Sequence, residues 1–223
     1  MKRPPVVAID GPAGSGKSTV ARMLAKRLAY THIDTGALYR GVAWLAIKAQ
    51  VSLSHEASVI HAAQSARFEF RQLPEGNLLH VNGQCVHQEI RTEEVSAAAS
   101  KVSAYPGVRS LLLGLQRDLG KNGGVVLEGR DIGTVVFPHA EVKIFLTASV
   151  ETRAKRRVLE LSAKGEMVEM DRVKADMIVR DKQDSEREIA PLKQAIDAVP
   201  VDTSDLSIES VLDRLESLVR SRA

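Results

Sequence analysis

Cysteine is nearly absent: Cys85 is the single one in 223 residues. No intrachain disulfide can form, and a four-thiolate zinc site is excluded. The six histidines show neither an HExxH motif nor paired-ligand spacing, which leaves no zinc signature. Cys85 reads as a half-buried strand residue. Aromatic residues are scarce too, at 4%, so platforms for stacking single-stranded bases are few. No apolar run approaches the ~20 residues that span a bilayer; "GVAWLAI" and "VKIFL" are far shorter. The basic start, "MKRPPVVAIDG", runs directly into a glycine-rich motif. A cleaved signal is therefore not expected, and the expected compartment is the cytoplasm. Internal repeats, low-complexity tracts and interdomain linkers are lacking as well.

The remainder is ordinary for a globular chain, with 44% hydrophobic and 26% charged residues, enough to bury a sizeable core. The formal charge is +3, and the arginines lie at isolated motif positions and in one Lys/Arg-rich helix, not in a basic tail.

What stands out is "GPAGSGKST", Gly11 to Thr19. The buried-strand pattern "PVVAID" precedes it. Behind it, "STVARMLAKRL" places Val20, Met23, Leu24 and Leu28 on one helical face. A glycine loop between a strand and a helix is the context that phosphate binding requires. Backbone N–H groups of Gly11, Pro12, Ala13, Gly14, Ser15 and Gly16 (Pro12 excepted as a donor), with Lys17, Ser18 and Thr19, form the predicted ATP cradle. Lys17 is suited to bridge the β- and γ-phosphates and Ser18 to ligate Mg²⁺, so ATP·Mg is the expected ligand. The Asn-Lys-x-Asp guanine reader of a Ras-type switch is missing, and transfer to a small acceptor is favoured.

Farther along, "THIDTGALYRGVAWLAIKAQ" reads as a strand, a turn and a helix with Leu38, Val42, Leu45 and Ala49 on its core face and Trp44 as packing. Residues 66–90 alternate, with turns at 74–76 and at Asn82-Gly83, and predict two or three short antiparallel strands. Helices follow over "TEEVSAAASKVSAY" and, with Pro106 near its start, "PGVRSLLLGLQRDLG". "GVVLEGRDIGTVVF" reads as a strand ending in a charged turn, and "EVKIFLTA" as another strand. Two charged helices flank Gly165. A last strand precedes an amphipathic helix capped near Ser207, with Ile208, Val211, Leu212, Leu215, Leu218 and Val219 on its apolar face. Strand–helix alternation with buried strands predicts a parallel sheet covered by helices.

An anionic acceptor needs arginines, since the transfer sets two anions face to face. Candidates are Arg40, Arg91, Arg109, Arg130, Arg153, Arg156, Arg157, Arg180 and Arg187; Arg40 and Arg130 stand out beside the Asp-Thr-Gly and Gly-Arg-Asp turns.

The segments "IDGPAGSGKST", "DTGALYRG", "EIRTEEVSAAASKVSAYPGVR", "GRDIGTVVFPHAEVKIFL", "ASVETRAKRR" and "RDKQDSERE" together resemble the bacterial-type cytidylate kinases of the nucleoside monophosphate kinase superfamily, over essentially the whole chain. The resemblance implies a P-loop three-layer α/β/α fold with a central parallel sheet, a small β-ribbon inserted in the monophosphate-binding region and a short helical lid. In that scheme residues 1–223 form one kinase domain: core 1–35, 106–150 and 168–223, acceptor region about 36–105, lid about 151–167. It implies phosphorylation of CMP and dCMP by ATP·Mg, by a monomer without nucleic-acid or membrane partners. It assigns Ser100, Arg109 and Asp131 to the cytosine edge, Arg40, Arg130 and Arg187 to the acceptor phosphate, and Arg180 and Asp184 to the sugar. Thr35 and Tyr39 fall in the same acceptor region. Arg153 and Arg157 fall in the lid, and Arg156 near the adenine or the phosphates. Lys17, Arg130, Arg153 and Arg187 are the expected catalytic charges. Thr35 replaces a serine of some members and keeps the hydroxyl. Glu128 replaces an aspartate and is expected to reach Mg²⁺ through water. The rival readings are a P-loop kinase for AMP, UMP, shikimate or dephospho-coenzyme A, a nucleotide-dependent RNA-interacting protein using "RAKRR", and a non-enzymatic ATP-binding regulator.

Overall fold

Strand β1 (Val6–Asp10) is buried at every position, as expected of a short apolar run in a sheet covered on both faces. The computed structural model describes residues 3–163 and 165–222. After the glycine loop comes α1 (Lys17–Leu28), then β2 (Thr31–Asp34), α2 (Thr35–Lys48) and α3 (Glu56–Gln64). Strands β3 (Phe68–Leu73), β4 (Gly76–Val81) and β5 (Gln84–Cys85) lead to α4 (Glu93–Val102) and α5 (Pro106–Gly120). Next are β6 (Val125–Gly129), one π-helical turn over Ile132–Val136, β7 (Val142–Thr147), α6 (Val150–Ala163), α7 (Met170–Glu186), β8 (Val199–Asp202) and α8 (Ile208–Arg222). The chain divides into two compact units, one holding the residues up to Tyr30 and from Gly123 onward, the other Thr31–Asn122.

In the first unit β6, β1, β7 and β8 lie side by side in that order, all parallel. Val7 stands between Val126 and Val142, and Asp10 between Gly129 and Phe145. This register sets the end of β1, where the glycine loop begins, level with the end of β6, where Arg130 follows. Val20 and Leu24 of α1 and Val211, Leu212, Leu215 and Val219 of α8 close on Val7, Ile9, Ile144 and Leu146, each large side chain contributing about 1.5–3 kcal/mol by burial. Ser207 caps α8 as expected, its Oγ accepting from Ser210 N at 3.1 Å. Ile208 does not join the apolar face: it is 51% exposed, because the first helical position lies beyond the edge of the sheet-facing stripe. Helices α6 and α7 pack through Ala154, Val173 and Met177.

The second unit holds the expected ribbon as a three-stranded antiparallel sheet, β3-β4-β5. Its Asn82-Gly83 turn has positive φ at both residues, 51° and 83°, the geometry of a tight hairpin. Cys85 is half-buried. Leu38, Val42, Val59, Leu79, Ile90, Val102, Val108 and Leu112 form one core, to which Val108 and Leu112 bring α5. No separate turn divides β2 from α2. Asp34 ends the strand and caps the helix at once, its Oδ1 accepting from Ala37 N at 3.2 Å. Trp44 is packing, partly buried against the core, with the Lys48 ammonium 4.7 Å from its ring centre. Ala49 is exposed, since α2 ends one residue earlier.

The architecture is therefore of the α/β class, a parallel sheet with helices plus a small antiparallel sheet. Among the described residues no helix is long and apolar enough to cross a membrane.

Candidate active site

The loop from Gly11 to Gly16 can approach a ligand closely because it carries no side chains at its tightest points. At Gly11, φ is 151° and a Cβ would sit 1.9 Å from the Leu146 carbonyl oxygen of β7. Gly16, the N-cap of α1, stands at φ 89°, a left-handed conformation that favours glycine. The loop thus ends on the N-terminus of a twelve-residue helix, where backbone N–H groups attract anions. Lys17 is 6% exposed. Its Nζ donates to Pro12 O at 2.6 Å and to Ser15 Oγ at 3.3 Å, folded over the loop. Burial, with help from the Arg130 charge, pushes its pKa down to about 7 against the pull of Glu128, Asp10 and Asp184. A phosphate placed here would restore its full charge. Ser18 Oγ donates to Glu128 Oε2 at 2.6 Å. A hydroxyl and a buried carboxylate side by side are hard oxygen donors, and they suit Mg²⁺, which binds through few protein ligands and keeps water and phosphate oxygens.

Beside this loop in the same unit lies a cluster of buried charge. Arg130 Nε donates to Asp184 Oδ2 at 2.7 Å, and Arg130 Nη1 to Gly129 O at 3.3 Å. Arg187 Nε donates to Ala190 O at 2.5 Å, and its guanidinium lies 3.5 Å from Asp131 and 3.9 Å from Asp184. Burial works to raise the Asp184 pKa, but Arg130, Arg180 and Arg187 outweigh it and hold the carboxyl below the usual carboxylate range. Of the residues expected in the first unit, Arg130, Asp131, Arg180, Asp184 and Arg187 therefore come together.

The arginines of "RAKRR" are engaged differently. Arg153, 5% exposed, forks onto Asp181 at 3.1 and 2.7 Å and donates to Ala13 O of the glycine loop at 3.1 Å and to Ala148 O at 3.0 Å. Arg156 donates to Thr203 Oγ1 and O at 3.1 and 2.7 Å, and the Thr203 hydroxyl donates to Ser15 O at 3.2 Å. Arg157 pairs with Glu160 at 3.0 Å. Two of these arginines thus serve the rim of the glycine loop, which leaves little of the basic strip that an RNA reading needs.

The second unit carries the other expected residues. Thr35 opens α2 and is 2% exposed. Arg40 Nη2 donates to Asp34 Oδ2 at 2.6 Å. Burial would raise the Asp34 pKa, yet Arg40, His32 and Arg91 hold it low. Arg109 is buried; it lies 5.3 Å from the centre of the Tyr39 ring and donates to Ser103 O at 3.1 Å. The Ser100 hydroxyl, on α4, is buried and makes no hydrogen bond, a costly state unless a ligand supplies the partner.

Sequence reasoning missed the carboxylates that hold these cations, Asp34 and Asp181, and it missed Asp10. Asp10 is 5% exposed and accepts from Ile132 N at 2.8 Å and Gly133 N at 2.7 Å. Burial pushes its pKa up to about 6 against those two hydrogen bonds. The available signal was an acidic end to an apolar strand directly before Gly11.

A phosphate loop backed by a buried lysine, in one unit with arginines gathered on carboxylates, belongs to the P-loop kinases, enzymes that move a phosphoryl group between nucleotides or small acceptors. The family model described as cytidylate kinase matches residues 7–221, and the chain belongs to that family. Among curated relatives, a cytidylate kinase from Geobacter sulfurreducens is 52% identical over 217 residues, covering 97% of this chain and 93% of its own. One from Geobacillus sp. (strain WCH70) is 50% identical over 216 residues, covering 97% and 96%. The crystal structure of an uncharacterised protein from Eubacterium ventriosum ATCC 27560 shares the fold, with a TM-score of 0.52 at 12% identity over 98% of this chain and 99% of that one.

Proposed function

We propose that this kinase transfers the terminal phosphoryl group of ATP to CMP, and to dCMP, giving ADP and CDP or dCDP. The observation that carries the reading is the buried Arg130–Asp184–Arg187 cluster in the same unit as a complete phosphate loop, in a chain of the cytidylate kinase family. CMP brings an ionised phosphate oxygen as nucleophile, so no strong general base is required. The chain's work is to position two anions and neutralise their charge. Lys17 takes the β- and γ-phosphates of ATP. Arg130, Arg187 and Arg40 take the acceptor phosphate, and Arg153 and Arg187 add to the charge that stabilises the transferring group. Ser100 and Arg109 donate to the cytosine ring, and Asp131 accepts from its exocyclic amine, which uracil lacks. Asp184 and Arg180 hold the sugar, and Thr35 and Tyr39 line the acceptor region. Ser18, with Glu128 through water, would hold Mg²⁺, which when bound neutralises phosphate charge. Arg156 and Arg157 complete the ATP side. The enzyme would act as a monomer in the cytoplasm without nucleic acid.

Transfer of label from γ-labelled ATP tests this reading. Labelled CDP is the expected product; labelled inorganic phosphate with CMP untouched would sink it.

A further inference from the structure

We infer that Asp10 is a positioning residue for the acceptor half of the reaction, its carboxylate holding the backbone turn that presents Arg130 and Asp131. The inference rests on the reading of those two residues as acceptor-binding groups.

Asp10 ends β1 and lies between Gly129 and Phe145 in the sheet register, so its backbone is held on both sides. Its side chain leaves the sheet and spends both oxygens on successive amides, Ile132 and Gly133, at 2.8 and 2.7 Å. Those amides open the π-helical turn Ile132–Val136. The first N–H groups of any helical turn have no acceptor within it, and an isolated π turn is an uncommon geometry that concentrates at functional sites. The neighbouring Asp131 supplies no side-chain cap. Its carbonyl instead accepts from Val135 N at 2.9 Å and Val136 N at 3.2 Å, which roots the Asp131 backbone in the same turn. Gly133 leaves room for the arrangement: a Cβ there would come 3.2 Å from Lys143 Cδ and 3.4 Å from Asp10 Oδ2. The carboxylate thus clamps the start of the turn, and Arg130 and Asp131 are the residues that lead into it. Because Asp10 also precedes Gly11, one residue joins the strand that launches the ATP loop to the turn that carries the acceptor groups. Beyond the turn, the Asp10 charge joins those of Glu128 and Asp184 in opposing the fall of the Lys17 pKa, an influence smaller than the burial that causes that fall, so the turn is where its loss is expected to be felt first.

Asp10→Asn keeps the shape but offers one acceptor where two are needed, and sets an amide N–H₂ against the second backbone N–H. The expected result is a rise of about tenfold in KM for CMP and a fall of about tenfold in the preference for CMP over UMP, with KM for ATP within about threefold. In an Asp131→Ala background the substitution should leave the CMP/UMP preference unchanged, as a residue acting through Asp131 must. In the unsubstituted protein the Ile132 and Gly133 amide protons should exchange slowly with solvent. A lowered Tm with unchanged KM and preference would reduce Asp10 to a structural residue and overturn the inference. So would an equal rise in both KM values, a preference change that persists in the Asp131→Ala background, or fast exchange at the two amides. Failure of the unsubstituted protein to show CMP-dependent ADP release refutes the cytidylate reading itself, and it is seen before any substitution is made.

Discussion

Asp184→Asn should destabilise the enzyme in a pH-dependent way, and the size of the effect follows from the geometry. The carboxylate is 9% exposed and meets Arg130 Nε at 2.7 Å, with the arginine 23% exposed. Removing one partner of a buried pair costs about 3–5 kcal/mol when the remaining charge is stranded in the interior. Here Arg130 keeps some contact with water, and asparagine still accepts one hydrogen bond, so about 2 kcal/mol is the expected loss. For a chain of this size that lowers Tm by about 4–8 °C. The arginines hold the Asp184 pKa below its ordinary 3.8. Its stabilisation is therefore complete above the unfolded value and is lost as pH falls through the folded one. Calorimetry of both proteins from pH 7 downward should show a gap that is full at neutral pH and closes below about pH 3.8. A gap under about 1 °C at pH 7, or one that persists undiminished in acid, would refute the reasoning.

Lys17→Ala should lower kcat by about 10²–10³ at saturating ATP, the cost of losing one donor to developing charge; near-normal turnover would remove Lys17 from the mechanism. Gly11→Ala drives a methyl group to 1.9 Å from the Leu146 carbonyl, so β7 or the loop must shift. A lowered Tm and loss of thermal protection by ATP are expected, and an unchanged ATP affinity would show that the loop tolerates it. Glu128→Gln weakens the partner of the Ser18 hydroxyl; the Mg²⁺ concentration for half-maximal activity should rise about tenfold, as for lost outer-sphere ligands, and an unchanged Mg²⁺ titration would detach Glu128 from the metal.

The parts of the molecule legible in the sequence were those whose cause is local. "GPAGSGKST" specifies a loop because glycine conformation, the following helix and the lysine act within nine residues. The Asn82-Gly83 hairpin is legible for the same reason. The parts that were not legible depend on partners far along the chain. "GRDIGTVVF" shows a charged turn, but the first amides of its π-helical turn are held by a carboxylate more than a hundred residues earlier. Arg153 reads from the sequence as a lid arginine on the ATP side, but its partners, Asp181 and Ala13 O on other elements, are not legible there. Helix α3 leaves little signal in the sequence: its N-cap is His55, which makes no side-chain capping bond, and only Val59 and Ala63 are buried along it. Carboxylates that anchor arginines, as Asp34 anchors Arg40 and Asp181 anchors Arg153, leave little pattern of their own in the sequence.

The measurement that bears most directly on the account is ADP release from ATP·Mg with CMP, dCMP, UMP, AMP or no acceptor. Strong stimulation by CMP and dCMP, weak stimulation by UMP and little by AMP is the predicted result. Preference for AMP, or no stimulation by any nucleoside monophosphate, would contradict it.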